Sequence, residues 1–156
     1  MFSQPTKKGY GKMKWGTSKS KIAGLQNCNV SFVDAQFTTC GYNESLSFVP
    51  KIVPIVVNLR FFENELMEIG FDVKRSDLEA VVANYTKEYG EPDVKESLNS
   101  PKPIDDLKVY TWQWGETEIT LLDKGYDFSL WINIYSLAIR KKAYFEPQTL
   151  ADKLIK

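Results

Sequence analysis

Four acids, Glu116, Glu118, Asp123 and Asp127, crowd one stretch of the chain. Paired carboxylates can run glycoside hydrolysis or hold a hard cation. Glu116 and Glu118 lie at or beside a tight turn, where acids are common, so a solvated edge is the plainer reading. Asp123-Lys124-Gly125-Tyr126-Asp127 lacks the remaining oxygens of a calcium loop. Other chemistry is poorly equipped. The chain has no histidine, which removes Ser-His, Cys-His and His-metal arrangements. Its two thiols, Cys28 and Cys40, are too few for a structural zinc site on their own. There is no G-x-S-x-G and no Walker A sequence, and Gly9-Tyr10-Gly11 is too short for a phosphate loop. Ser18-Lys19-Ser20-Lys21 reads as a helix start with solvated lysines. No cofactor or metal is expected, and a carboxylate-based hydrolase stays only as a second alternative.

Aromatic residues offer binding rather than catalysis. Trp112, Trp114 and Tyr110 share one side of a strand, and Trp131 and Tyr135 share one side of another. If those faces meet helices, the rings are core. If they face water, the five form a candidate surface for another protein.

The 156 residues suit one domain, with 43% hydrophobic and 26% charged residues, so wholesale disorder is not expected. Net charge is zero but uneven. Residues 1–33 hold six lysines and no acid, whereas residues 34–127 hold nine basic and 18 acidic residues. Residues 1–14 therefore read as a flexible basic arm ahead of a single domain at 15–156. Nucleic-acid binding by this arm, with Tyr10 and Trp15 stacking, is the first alternative function. No apolar run is long enough to span a membrane, and the first residues lack the apolar core of a signal peptide. A cytoplasmic protein is expected, with an exported mature form as the alternative.

These residues must be positioned by a few elements. Ser76 with Glu79 predicts a capping box, and Leu78, Val81, Val82, Tyr85 and Tyr89 form one apolar stripe. Gly90 and Pro92 then stop the helix, which spans 77–89. A shorter helix is expected from Thr17 or Ser18 to about Gln26. Two strands should follow, at Asn29–Thr39 and Ser45–Val53. Read as one extended strand, Asn29–Thr39 holds Cys28 and Cys40 roughly 30 Å apart at ~3.3 Å per residue, beyond disulfide reach. A tight turn near Asp34 would reverse that.

Ile55–Phe62 and Leu66–Val73 form a hairpin. A three-residue loop, Glu63-Asn64-Glu65, opposes Phe61 to Met67, Leu59 to Ile69, Val57 to Phe71 and Ile55 to Val73, every pair apolar. Asn58, Arg60, Glu68, Gly70 and Asp72 fall on the other, mostly polar face. Residues 91–106 read as a polar loop. Leu107–Trp114 and Thr117–Leu122 form a second hairpin, with Trp112 opposite Ile119 and Tyr110 opposite Leu121. Phe128–Ile139 is a last strand, and Pro147 opens a short C-terminal helix.

The expected fold is α+β: an antiparallel sheet from two helix-plus-meander halves, 15–74 and 75–139, with helices on one face. A helix opened by Gly16-Thr17-Ser18, a helix ending Tyr89-Gly90-Glu91-Pro92, a Trp-containing strand and the strand Thr117-Glu118-Ile119-Thr120-Leu121 together resemble small bacterial helix-plus-meander domains. These are the β-lactamase-inhibitor-protein-like fold and outer-membrane assembly lipoproteins. The resemblance spans about 15–137. It implies a non-enzymatic binder of inhibitor or immunity type, of bacterial or phage origin, that presents a sheet face or loops to another protein. Those families are usually exported and disulfide-stabilised, and neither mark is read here. No functional residue is carried over.

Overall fold

The computed structural model describes residues 4–31, 34–42, 52, 54, 56–97, 107–124 and 129–144. At the N-terminus, β1 (Pro5–Thr6), β2 (Gly9–Tyr10) and β3 (Met13–Lys14) form a small antiparallel meander. This is where a flexible arm was expected. Tyr10 carries the difference: it is 0% exposed, and its ring lies 5.4 Å from that of Phe71. Gly9 permits the close approach of β2 and β3, because a Cβ there would stand 2.0 Å from the Met13 carbonyl oxygen. The helix expected near 17–26 is only a 3₁₀ turn at Lys19–Lys21. Gly24, at φ +84°, precedes a strand instead.

Next come β4 (Leu25–Val30) and β5 (Phe37–Tyr42), a hairpin and not one strand through Asn29–Thr39. Its turn runs through Asp34, whose carboxylate accepts the Gln36 N–H at 3.0 Å. The turn brings Cys28 and Cys40 to a Cα separation of 4.0 Å, and they are disulfide-bonded. The expectation of unpaired thiols is thereby overturned. The strand expected at Ser45–Val53 lies outside the described residues except for Ile52, which is buried in the core.

β6 (Val56–Phe62) and β7 (Glu65–Lys74) pair with Leu59 opposite Ile69 and Val57 opposite Phe71, as the apolar match predicts. Ile55 lies outside the described residues. At the loop the prediction needs correcting. Glu63 and Asn64 alone make the turn, at φ +50° and +67°, and Phe61 faces Leu66. Met67 is the extra residue of a bulge. The bulge keeps Leu66 in the main core and turns Met67 to a second cluster with Phe37, Phe62 and Ala143.

A 3₁₀ turn at Arg75–Asp77 leads into α1 (Leu78–Tyr89). The expected capping box does not form; Asp77 occupies the cap position and makes no side-chain cap bond. Val81 and Tyr85 of the stripe are fully buried. Gly90, at φ +94°, ends the helix. Part of the expected loop is a strand, β8 (Asp93–Ser97), paired to β9 (Leu107–Trp114). β9 and β10 (Thr117–Asp123) pair as predicted, with Trp112 opposite Ile119 and Tyr110 opposite Leu121. β11 (Ser129–Ser136) ends three residues earlier than expected. The Ser136 hydroxyl accepts the Ile139 N–H at 3.1 Å and so caps α2 (Leu137–Tyr144). The helix expected beyond Pro147 lies outside the described residues.

The large sheet runs β4-β5-β6-β7-β11-β10-β9-β8, antiparallel throughout, and β7 meets β11 at its centre. The class is α+β. One face carries Leu59, Ile69, Phe71, Ile132, Ile134, Ile119 and Trp112, under α1 and the N-terminal meander. Tyr89 donates its hydroxyl proton to the Pro5 carbonyl at 2.7 Å, and Trp15 donates to Thr117 Oγ1 at 2.8 Å, which lock that cover down. α2 packs on the opposite face, beside Phe37, Phe62 and Met67, where helices on one face were expected.

Candidate binding face

Strand alternation decides what the second face presents. With Ile69, Ile134 and Ile119 in the core, their neighbours Glu68, Tyr135 and Glu118 must point the other way. The register lines up Thr39, Arg60, Glu68, Tyr135 and Glu118 across five strands. A second row holds Gly41, Asn58, Gly70, Asn133 and Thr120. Trp131 stands in a third, between Asp72 and Leu122.

Ring and guanidinium contacts order this surface. Arg60 donates to the Tyr144 hydroxyl at 2.6 Å, sits 4.5 Å from the Phe37 ring centre and lies 4.0 Å from the Glu68 carboxylate. Arg140 lies 4.1 Å from the Tyr135 ring centre and 5.7 Å from that of Tyr144. Each such contact contributes about 0.5–1 kcal/mol at an exposed site, enough to restrain a long side chain. The Tyr135 hydroxyl donates to Glu118. Burial first, and that bond second, hold the phenol above its ordinary range, so it stays a donor. Gly70 leaves room for Trp131: a Cβ there would stand 2.5 Å from Cζ2 of the indole. The indole therefore rests over a strand that must lack a side chain at that point.

Two open hollows meet on this face. One, of about 650 Å³, has mostly apolar walls and is lined by Glu118, Tyr135, Leu137, Arg140, Lys141 and Tyr144. Its neighbour, of about 380 Å³, is mostly polar and includes Asn58, Arg60, Glu68, Trp131 and Asn133. Arg140 and Tyr144 line both.

Glu68 is the perturbed carboxyl here. Desolvation raises its pKa, and Arg60 and Arg140 only partly offset that. A raised folded-state pKa means that the native state binds the proton more tightly than the unfolded chain. Stability from this group is full at low pH and falls as pH rises through the unfolded value, near 4.5, towards the raised one. Glu68→Gln should therefore melt like the parent at low pH and lose less stability by pH 7. Melting curves across that range test this; parallel pH profiles would count against it.

The five aromatic candidates do not form one patch. Trp112 is 2% exposed, donates to the Gly90 carbonyl at 3.1 Å and packs edge-on against Tyr85. Tyr110 is half-buried on the same face, stacked with Trp112. Trp114 is exposed at the sheet's end, with Lys7 Nζ 5.0 Å from its ring centre. Trp131, half-buried, and Tyr135, largely buried, belong to the opposite face. Sequence reasoning missed Arg140 and Tyr144, because it carried the last strand through positions that fold as α2. The Ser136 cap was the legible signal.

The acids likewise separate. Glu118 points to the face of Tyr135, whereas Asp123 shares the parity of Ile119 and Leu121 and accepts from Arg75 Nε at 2.9 Å. Glu116 is exposed in its turn, and Asp127 lies outside the described residues. No group of three or more metal-ligating side chains occurs among the described residues. No described helix is long and apolar enough to cross a membrane. The chain matches no family model, no curated protein and no solved structure.

Proposed function

We propose that this chain is a non-enzymatic protein-binding domain of inhibitor or immunity type that offers the α2 side of its sheet to another protein. One observation carries the reading. Trp131, Tyr135, Tyr144, Arg60 and Arg140 gather on a single face that the main core does not use. Trp, Tyr and Arg are the residue types that dominate binding hot spots. Here Arg60, Arg140, Tyr135 and Tyr144 are already held by ring contacts and hydrogen bonds, so little of their side-chain freedom is lost on association. The Cys28–Cys40 bridge agrees with the disulfide-stabilised character that the helix-plus-meander resemblance implies. The bridge also favours an oxidising compartment, the exported alternative to a cytoplasmic setting.

The nucleic-acid alternative asked Tyr10 and Trp15 to stack on bases. Tyr10 is buried, and Trp15 is half-buried and bonded to Thr117, so the rings it needs are engaged elsewhere. The hydrolase alternative asked for converging acids, and Glu118 and Asp123 project from opposite faces of β10. Affinity capture with the tagged chain tests the proposal. A protein should be retained by the parent and bound about tenfold or more weakly by Trp131→Ala, since a hot-spot residue contributes at least ~2 kcal/mol. Turnover of a small molecule without any captured protein would end it.

A further inference from the structure

We infer that the groove between α2 and the end of β11 takes an extended acidic segment of the partner, anchored by one large apolar side chain. This rests on the protein-binding reading above and names the partner's chemistry.

Charge is the first argument. α2 carries Arg140, Lys141 and Lys142 and no acid. Lys142 reaches Glu63 at 3.8 Å, but neither Arg140 nor Lys141 has an acid within ion-pair distance among the described residues. Arg140 is held over the Tyr135 and Tyr144 rings, so its guanidinium is presented in a set orientation; Glu68 acts on it through space, but no described carboxylate lies within 4.0 Å of it. Glu118, the acid at the groove wall, accepts a hydrogen bond from the Tyr135 hydroxyl. No described acid pairs directly with Arg140 or Lys141, so an incoming Asp or Glu meets an arginine ready for paired hydrogen bonds.

Shape is the second argument. The hollow beside α2 is walled by the Tyr135 and Tyr144 rings and Leu137, with about 650 Å³ of space, ample for a Phe, Trp or Leu side chain. The adjoining polar hollow continues the path over Asn133 and Asn58. Their side-chain amides make no hydrogen bond to any described residue and are only half-buried. Each amide can both donate to and accept from a passing peptide backbone. An apolar slot, a guanidinium without a direct ion pair and two unbonded amides together suit a peptide strand.

Selection of phage-displayed random peptides on the intact protein tests this. The enriched peptides should carry Asp or Glu within a few residues of Phe, Trp or Leu. Binding of an enriched synthetic peptide, read by fluorescence anisotropy, should weaken about tenfold in Arg140→Glu and also between about 0.05 M and about 0.5 M salt. Lys87→Glu, on the exposed side of α1, should bind as the parent does, and circular dichroism should show both variants folded. Enrichment of neutral or basic peptides, or binding indifferent to Arg140→Glu, overturns the inference. So does self-association in sedimentation that Arg140→Glu dissolves, since the occupant would then be a second copy. A native partner that depends on Trp131 but not on Arg140 or salt refutes this inference alone. Absence of both peptide and partner refutes the protein-binding reading with it.

Discussion

Replacing Tyr10 with alanine is expected to lower the folding free energy by about 3–5 kcal/mol, the range for truncating a large buried aromatic. Total stabilities of about 5–15 kcal/mol make that a severe loss. The ring is fully buried against Phe71, and the core cluster around it includes Tyr85, Ile69 and Ile134. Burial also holds the Tyr10 phenol well above its ordinary pKa, with the neighbouring Tyr85 and Tyr89 adding to the effect. Its removal would leave a ring-sized hole that Gly9 and the two-residue strands cannot collapse to fill. Urea titration reads the change directly, with Lys12→Ala, on the exposed side of the same meander, expected within ~0.5 kcal/mol of the parent. A Tyr10→Ala loss below about 1 kcal/mol would show that the N-terminal residues are the loose arm their composition suggests.

Breaking the Cys28–Cys40 bridge should cost about 2–3 kcal/mol. The cysteines are 12 residues apart, and closing a loop of that order removes about 3 kcal/mol of chain entropy from the unfolded state. The two ends differ in setting. Cys40 is fully buried in the core on β5, whereas Cys28 is exposed on the edge strand β4, beside a break in register between Gln26 and Asn29. Reduction should therefore loosen β4 first, since among the described residues it has a strand neighbour on one side only. Amide exchange at residues 25–30 should rise on adding a reductant while residues 65–74 stay protected. Free thiols in the untreated protein, or an unchanged denaturation midpoint after reduction, would contradict the pairing.

Both expectations concern features that local pattern could not supply. Strands of two residues, such as β1 to β3, have no periodicity to detect. Tyr10 in a lysine-rich stretch gave no sign that a core lay within reach. The Cys28–Cys40 distance depended wholly on whether the chain turned at Asp34, and the residues on either side alternate well enough for one strand or two. The end of β11 posed the same ambiguity: Leu137, Ala138 and Ile139 continue a strand or open a helix equally well, until the Ser136 cap is weighed.

What the sequence determined by itself is local. Apolar alternation set the pairing of Val57 with Phe71, Leu59 with Ile69, Trp112 with Ile119 and Tyr110 with Leu121. The stripe of α1 and its glycine stop were equally explicit. Such features rest on neighbours a few residues apart, where side-chain period and turn geometry suffice. The tertiary structure alone decided that β7 joins β11, because a strand's pattern says which residues share a face and nothing about which distant strand lies beside it. That one pairing sends Trp112 into the core, leaves Trp131 on the opposite face, and brings Arg60 and Glu68 from one hairpin to Tyr135, Arg140 and Tyr144 from the other end of the chain.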